Sequence, residues 1–286
     1  MPFLNSIARM VKDPPPHHLF ELSEAGVAFA QGGQIGFEPF EPGTLVVSPV
    51  VDNIHRPDVI AKLIDRIAPQ NGSSKKRRPA AVILPDYAAR VSVLDFDSFP
   101  TVAEEQLPLI RFRVKKTIPF DIDSAAVSYC IQPGGKKKVE VVAVTVALEI
   151  IARYEALFRN AGFQPGEVTT SALAALNLYE GEGVAVLAKL TGSLLTVMVL
   201  SGDTLKLFRC VTLEDVTEQE ILAVLHPTFA YVEDELGSPA RKLILCGFPQ
   251  GALSGLKCEI EPLRSRFGSP GPFNAGLLGY LEGVGN

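Results

Sequence analysis

One turn in this sequence has the residue types that bind anions. Thr191, Gly192 and Ser193 join two apolar runs within GVAVLAKLTGSLLTVMVLSGD, which spans residues 183–203. Backbone N–H groups of a small turn of this kind can hold a phosphate group. No acidic residue precedes Asp203 in this stretch, so it offers a phosphate contact without a carboxylate for a metal ion.

The other reactive side chains form no catalytic signature. The patterns GxSxG, HExxH and GxxxxGK[ST] do not occur in the sequence. His55 and His226 stand alone beside prolines, so they are expected in turns or at the surface rather than as bases or ligands. The acidic clusters at residues 104–105 and 233–235 lie in helical patterns, where water solvates them. The sequence therefore predicts no catalytic residue and no metal ligand.

Composition limits the classes of function. With 286 residues, 47% of them hydrophobic, the chain can form one large domain or two ordinary ones. A net charge of -5 gives no general attraction to nucleic acid. Two basic runs, residues 75–78 and 136–138, are interpreted as solvated loop tips, with contact to anionic lipid headgroups as the alternative. Widely spaced cysteines and the lack of signal-peptide features predict a reduced, cytoplasmic chain.

A transmembrane span is the alternative interpretation of residues 183–200, which carry a single charge, Lys189. The central turn divides this stretch into two strand-length runs, and TLKLFRCVT follows a second turn. Three antiparallel strands are therefore predicted instead of a membrane helix.

Periodicity and turn residues divide the rest of the chain into alternating helices and strands. An amphipathic helix over residues 3–11 is predicted to dock either on the protein itself or on a membrane. The later elements are, in order, a hairpin over residues 19–31, a strand (TLVVSPVV), a helix from Pro57, a buried strand (AAVILP), a helix opened by a capping box at Thr101 and Glu104, two strands (AAVSYCIQ and VEVVAVTV), a helix ending at Gly162, a small-residue helix over residues 171–179, the three strands above, a helix opened by a capping box at Thr217 and Glu220 and kinked or split at Pro227, a strand (KLILC) and a closing helix (FNAGLLGYLEG). This order predicts two α/β lobes.

Several of these segments resemble the type IV pilus assembly protein PilM family, a cytoplasmic branch of the actin-like ATPase superfamily. The resemblance lies in FLNSIARMVKDPPPHHLFELSEAGVAFA, EPGTLVVSPVVDNIHRPDVIAKLIDRI, QLPLIRFRVKKTIPFDIDSAAVSYCI, VEVVAVTVALEIIARYEALFRNAGFQPGEVTTSALAALNLY and FNAGLLGYLEG. It covers most of the chain and is firm for residues 80–180. It implies an α/β, actin-like (ribonuclease H-like) two-lobed fold. The implied first lobe spans residues 1–182 with an inserted PilM-type subdomain at about 87–150, and the second, shortened lobe spans 183–286.

The chain departs from the family pattern at the first of its two phosphate hairpins. Such a hairpin holds phosphate through backbone N–H groups, with an acid beside it that positions water on a magnesium ion. In FELSEAG, Glu21 stands at the acidic position and Ser23 replaces the usual glycine. Glu24 adds a negative charge that would repel phosphate.

Departures also occur in the second half of the implied nucleotide site. The family sequence Asp-Ile-Gly corresponds here to residues 188–190, which places Ala188 at the acid and Leu190 at the glycine, before the turn of Thr191, Gly192 and Ser193. The adenosine-side Gly-Gly turn corresponds to Gly247 and Phe248. The resemblance therefore implies degenerate nucleotide loops and a pseudo-ATPase without cofactor; a functional ATPase with ATP and Mg²⁺ is the alternative.

The resemblance also implies a role and partners. The expected function is a cytoplasmic scaffold of type IV pilus assembly, peripheral to the inner membrane, that docks the N-terminal tail of a PilN-like bitopic membrane protein. Pilus assembly ATPase components are further possible partners, whereas nucleic acid is excluded and membrane contact is at most peripheral. Arg111, Arg113 and Tyr129 are the candidate groove residues, with helix surface or strand packing as their alternative roles. A cytoplasmic domain of the type II secretion L protein is the remaining alternative.

Overall fold

The computed structural model describes residues 16–69, 76–133 and 138–284. The predicted N-terminal helix lies outside these ranges, as do Lys75, Lys136 and Lys137 of the basic runs. Arg78, in contrast, begins a strand and donates to the carbonyl of Ala68 at 2.8 Å, so it is not part of a solvated loop tip. Within them, every helix is too short or too polar to cross a bilayer.

The described chain alternates between strands and helices. In chain order the elements are β1 His18–Ser23, β2 Gly26–Gln31, β3 Gln34–Pro39, α1 Pro57–Ile67, β4 Arg78–Leu84, β5 Arg90–Phe96, α2 Ala103–Val114, β6 Ala125–Ile131, β7 Val139–Ala147, α3 Leu148–Asn160, β8 Phe163–Thr170, α4 Ser171–Ala175, β9 Val184–Thr191, β10 Leu194–Ser201, β11 Thr204–Thr212, α5 Glu218–Leu236, β12 Lys242–Cys246, β13 Glu259–Pro262 and α6 Ala275–Val284. Single 3-10 turns follow β4, precede β6 and continue α4.

Two five-stranded sheets have the same internal order. The first runs β3-β2-β1-β4-β8 and the second runs β11-β10-β9-β12-β13. In each sheet a three-stranded antiparallel meander leads, through its first strand, to two parallel strands. The two halves of the molecule are therefore built on the same topology, with β1 of the first lobe equivalent to β9 of the second.

Five layers of structure make up the two lobes. Helices α1 and α3 cover the outer face of the first sheet, where the core includes Phe20, Phe158 and Phe163. Helix α5 packs against the outer face of the second sheet. The inner faces of both sheets share one core with α4 and α6, which includes Leu19 and Leu187. Burying apolar side chains on both faces of each sheet accounts for the near-continuous hydrophobic runs of β4 and β9.

Close packing between α4 and α6 sets the spacing of this central layer. Gly276, Gly279 and Gly283 form a glycine face on α6, and a Cβ at Gly279 would lie 2.1 Å from the carbonyl oxygen of Ala174. Helices approach this closely only where one of them lacks side chains at the contact. The glycine face therefore lets the two central helices cross between the lobes.

A third sheet, β5-β7-β6, carries α2 and packs against the two lobes, with Val142 of β7 in their shared inner core. Its small core includes Ile110 and Val114 of α2 and Val141 of β7. The sheet is held to the second lobe by Gln132, whose side chain exchanges two hydrogen bonds with the backbone of Leu205, at 2.7 and 2.8 Å. This subdomain lies in the chain between β4 and α3.

The structure corrects several sequence predictions. Residues 44–51 (TLVVSPVV) form a loop instead of a strand of a sheet. Leu45 makes an isolated bridge with Ile54, and Pro49 has no backbone N–H to donate to a ladder. Helix α2 begins after Val102 without a side-chain cap, so the predicted box at Thr101 does not form. Helix α5 is one helix of 19 residues that contains Pro227, rather than two pieces.

Other predicted elements are confirmed. Thr217 caps α5 through a 3.3 Å hydrogen bond from the Glu220 N–H to its hydroxyl. The Glu220 carboxylate, however, accepts from the N–H groups of Glu214 and Asp215 instead of completing the box. The predicted three-stranded meander is present as β9, β10 and β11.

Candidate functional site

A cleft opens where the two lobes face each other across the hairpin turns. It has a volume of about 180 Å³. It is formed by the turns after β1 and β9, by the 3-10 turn after β4, and by the segment that leads into α6. Among its lining residues are Glu21, Asp86, Lys189, Ser193 and Phe273.

Glu21 and Lys189 occupy equivalent positions in the two lobes. Glu21 lies two residues before Ser23, which closes the β1–β2 turn by pairing with Gly26. Lys189 lies two residues before Thr191, which closes the β9–β10 turn. Because successive side chains of a strand point to opposite faces, both side chains point toward the other lobe. The carboxyl group of Glu21 and the amino group of Lys189 therefore face each other across the cleft.

Asp86 connects the two lobes through three hydrogen bonds. It follows β4 and is only 2% exposed. One carboxylate oxygen accepts the backbone N–H of Ala172 at 2.6 Å, at the start of α4. The other oxygen lies 3.0 Å from Lys189 Nζ and accepts the hydroxyl of Thr196 at 3.2 Å. Both of these last partners belong to the second lobe.

Glu21 is engaged by the central helices. The Ser171 hydroxyl at the start of α4 donates to one carboxylate oxygen. The other oxygen accepts the Leu277 N–H at 2.6 Å, near the start of α6, where the helix dipole favours negative charge. Burial raises the pKa of Glu21 above its usual value, although the nearby charge of Lys189 and the Ser171 hydrogen bond act in the opposite direction.

The Lys189 ammonium is enclosed by polar partners of the chain. Its side chain is 2% exposed. Besides Asp86 it donates to the Thr191 hydroxyl at 2.8 Å, and this hydroxyl donates in turn to the carbonyl of Pro272 at 3.0 Å. Burial alone would lower the pKa of Lys189, but the charges of Asp86 and Glu21 outweigh it and raise the pKa. The lysine therefore stays protonated in the cleft.

The first hairpin turn is already bonded to its own lobe. The Ser23 hydroxyl donates to the carbonyl of Gly26 at 3.1 Å. The Glu24 carboxylate turns outward and accepts the N–H of Val47 at 2.7 Å. Both residues line the cleft, and Glu24 keeps negative charge at its mouth.

In the second hairpin, some of the predicted residues line the cleft and others pack in the core. Thr191, Gly192 and Ser193 line the cleft. Ala188 and Leu190 instead pack in the outer core of the second lobe. Strand alternation therefore corrects the expectation that Ala188 replaces the acid at the cleft: the side chain that faces the cleft is that of Lys189.

The turn after β12 also serves packing. Gly247 has φ +78°, and a Cβ there would lie 2.2 Å from the carbonyl oxygen of Leu190. Phe248 packs against the outer core of the second lobe. Its ring therefore contributes to the packing of its own lobe, and the assignment of Phe248 to a degenerate nucleotide loop stays a prediction.

The three groove candidates all make contacts within the inserted subdomain. Arg111 donates to the backbone carbonyls of Ile122 and Ala125. Arg113 lies over the ring of Phe96, with its guanidinium carbon 5.0 Å from the ring centroid. The Tyr129 hydroxyl donates to Gln106 at 2.7 Å and so joins β6 to α2. These contacts fit the alternative packing roles, and contact of these residues with a partner stays a prediction.

Asp86 and Lys189 are the two charged residues of the cleft that the sequence analysis did not assign to it. Asp86 follows the end of a buried strand, which is where parallel sheets place functional side chains. Lys189 is a lone charge in an apolar run. Counting alternate residues back from each hairpin turn would have paired it with Glu21.

Comparison with solved structures shows which fold this is. A chain of the PilM-PilN type IV pilus biogenesis complex superposes with a TM-score of 0.72 and 15% sequence identity, covering 96% of this chain and 99% of that chain. The cytoplasmic domain of EpsL, an inner membrane component of the type II secretion system of Vibrio cholerae, superposes with a TM-score of 0.56 and 15% identity, covering 94% of each. The chain has an actin-like α/β fold. No family model matches it, and no curated protein sequence does so either.

The two buried carboxylates of the cleft do not fit direct coordination of the magnesium ion that an actin-like fold implies. A magnesium ion needs free carboxylate or water oxygens around it. The carboxylates of Glu21 and Asp86 instead accept hydrogen bonds from N–H, hydroxyl and ammonium donors of the chain. Among the described residues, no cluster of three or more His, Cys, Asp or Glu side chains could hold a metal ion.

Proposed function

We propose that this chain is a scaffold of type IV pilus assembly that docks the cytoplasmic tail of a PilN-like inner-membrane protein and does not hydrolyse ATP. The observation that carries this proposal is the superposition on a chain of the PilM-PilN complex over nearly the full length of both chains. Such a scaffold works at the cytoplasmic face of the inner membrane, where pilus assembly ATPase components are further candidate partners.

The inserted subdomain offers a place for such a tail. In the described part of the chain, β6 is an edge strand with a neighbour, β7, on one side. An extended peptide can add its backbone hydrogen bonds to a strand edge of this kind and place alternate side chains in pockets. Phe112 on α2 is 71% exposed, and Ile131 at the end of β6 is 43% exposed. Each of these two exposed groups could contact an apolar side chain of the tail.

Charge also favours docking at this subdomain. Arg113, Lys115 and Lys116 follow one another closely at the end of α2. Acidic groups of a tail would pair with them and orient the peptide, while the apolar contacts supply most of the affinity. An acidic peptide with alternating apolar residues is therefore the proposed ligand.

The lack of hydrolysis is supported by the bonding of the cleft. Both cleft carboxylates are used by the chain itself, and Glu24 places further negative charge at the mouth. Phosphate groups without a metal ion would meet this charge and be repelled. Calorimetric titration with ATP and Mg²⁺ tests this point, and micromolar binding or measurable turnover would contradict it.

A peptide-binding assay tests the docking role. The probe is a fluorescein-labelled synthetic peptide of the cytoplasmic tail of a PilN-like inner-membrane protein, followed by fluorescence anisotropy. We expect micromolar binding that Phe112→Ser weakens at least about tenfold, because it removes an exposed apolar contact. The control is Val216→Ser, which changes a 51% exposed side chain of the second lobe. Equal affinity of both variants and the unaltered chain would refute docking at α2.

A related secretion machine is a second candidate, favoured by the EpsL superposition. The same assay separates the two. A tail from a type II secretion membrane protein that binds more tightly than a pilus tail would assign the chain to secretion.

A further inference from the structure

We infer that Lys189 is a fixed internal cation that joins the two lobes across the cleft. Its ammonium belongs to the second lobe and lies 3.0 Å from Asp86 of the first lobe. Both side chains are buried, at 2% and 0% exposure. The inference concerns the closure of the cleft and does not depend on which partner docks.

The surroundings of Lys189 are built to hold an ammonium ion. Two acceptors, Asp86 and Thr191, lie at hydrogen-bonding distance, and the Thr191 hydroxyl is itself oriented by the carbonyl of Pro272. Glu21 adds a second negative charge from the first lobe. One positive charge among these groups offsets the cost of burying two carboxylates, which would otherwise be high.

The lysine supplies from the chain itself a positive charge that would otherwise have to come from a bound ion. A bound ion comes and goes with its ligand, so closure then depends on ligand concentration. A lysine is covalently part of the chain and is present at every concentration. The relative position of the lobes in this protein is therefore set without any bound ligand.

The first experiment removes the charge and keeps the side-chain volume. In Lys189→Met, Asp86 stays buried without its counter-charge, and breaking a buried pair in this way raises the equilibrium constant of unfolding on the order of a hundredfold or more. The control is Lys242→Met, which removes a half-exposed ion pair with Glu261 and is expected to change that constant less than about fivefold. Urea unfolding measures both. Equal effects of the two substitutions would overturn the inference.

The second experiment replaces the cation from solution. Lys189→Ala leaves a cavity shaped for an alkylammonium chain, so 1-propylammonium chloride should raise the unfolding midpoint of this variant in proportion to the logarithm of its concentration. Sodium chloride at the same ionic strength should not, and the unaltered chain should not respond to propylammonium. A response to both salts alike would mean that only screening is involved and would overturn the inference.

A measurement on the unaltered protein covers the case in which these variants do not fold. The ¹⁵N-detected signal of the Lys189 side chain should show a protonated nitrogen whose hydrogens exchange with water at least about tenfold more slowly than those of surface lysines, because opening of the cleft limits their access to solvent. The control is the half-exposed Lys242. Exchange of the Lys189 hydrogens at the surface rate would show an open cleft and refute the inference.

Discussion

The crossing of α4 and α6 gives a sharp test of how the two lobes are spaced. In Gly279→Ala the new Cβ would lie 2.1 Å from the carbonyl oxygen of Ala174 and 2.7 Å from the Cα of Ala175. All of these neighbours are backbone atoms, so no flexible side chain can move out of the way. The two helices must separate by about 1.3 Å to restore an ordinary contact.

The change in the free energy of unfolding caused by Gly279→Ala is the sum of two opposing contributions. Overpacking a well-packed core costs about 1–3 kcal/mol, and rigid backbone neighbours place this site at the upper end. Replacing glycine by alanine inside a helix returns about 1 kcal/mol. The expected net loss is about 2 kcal/mol, which lowers the melting temperature of a chain of this size by about 4–8 °C.

Differential scanning calorimetry measures this loss. The matched control is Gly166→Ala, because a Cβ at Gly166 in β8 meets no atom within 4 Å and its backbone needs no left-handed conformation. We expect the control to melt within about 1 °C of the unaltered chain, since surface changes rarely exceed 0.5 kcal/mol. A Gly279→Ala chain that melts as high as the control would refute the close crossing of the helices.

Three further predictions concern other contacts. Gln132→Ala leaves the buried N–H and C=O groups of Leu205 without partners, so urea unfolding should show a loss of about 2–4 kcal/mol, and no loss would contradict the clamp. Burial raises the pKa of Glu21 in the folded chain above the unfolded value of 4.5. Protonated Glu21 therefore stabilises the folded chain fully below pH 4.5, and this stabilisation is lost as the pH rises through the folded pKa. Relative to Glu21→Gln, the unaltered chain should therefore lose stability from pH 4.5 upward in urea titrations, and a gain would contradict this. Thr217→Ala should cost about 1 kcal/mol as a lost helix cap, whereas Thr101→Ala, which caps nothing, should cost less than about 0.5 kcal/mol in the same assay.

Periodicity predicted the long elements of this fold correctly and failed where context decides. The apolar pattern of α1 and the alternation of the meander follow from burial of one face, which the sequence records directly. Residues 44–51 have the composition of a strand, yet Val46 bonds to the nearby loop residue Asn53 instead of to a sheet, and such a choice of partner is a property of the folded chain. Strand β8 was missed because Pro165 and Gly166 interrupt its pattern, and the structure accommodates them at an irregular register with β4.

Several residues of the cleft were predictable from the sequence, but their hydrogen-bond partners were not. The turn at Thr191 was identified from its residue types, and Glu21 was identified through the resemblance to the PilM family. The partners of Glu21 were not, because Ser171 and Leu277 lie 150 and 256 residues away in the chain. The assignment of Ala188 to the cleft failed by one residue, since a shift of one position along a strand moves a side chain to the opposite face.

The common strand order of the two sheets has a consequence for sequence variation among related chains. If the lobes descend from one duplicated unit, Glu21 and Lys189 are copies of a single ancestral position that have acquired opposite charges. Burying the charge of Glu21, Lys189 or Asp86 without the others would destabilise the fold, so substitutions at these three positions should be correlated. Related chains are expected to keep the lysine together with both acids, or to have lost it and opened the cleft to solvent.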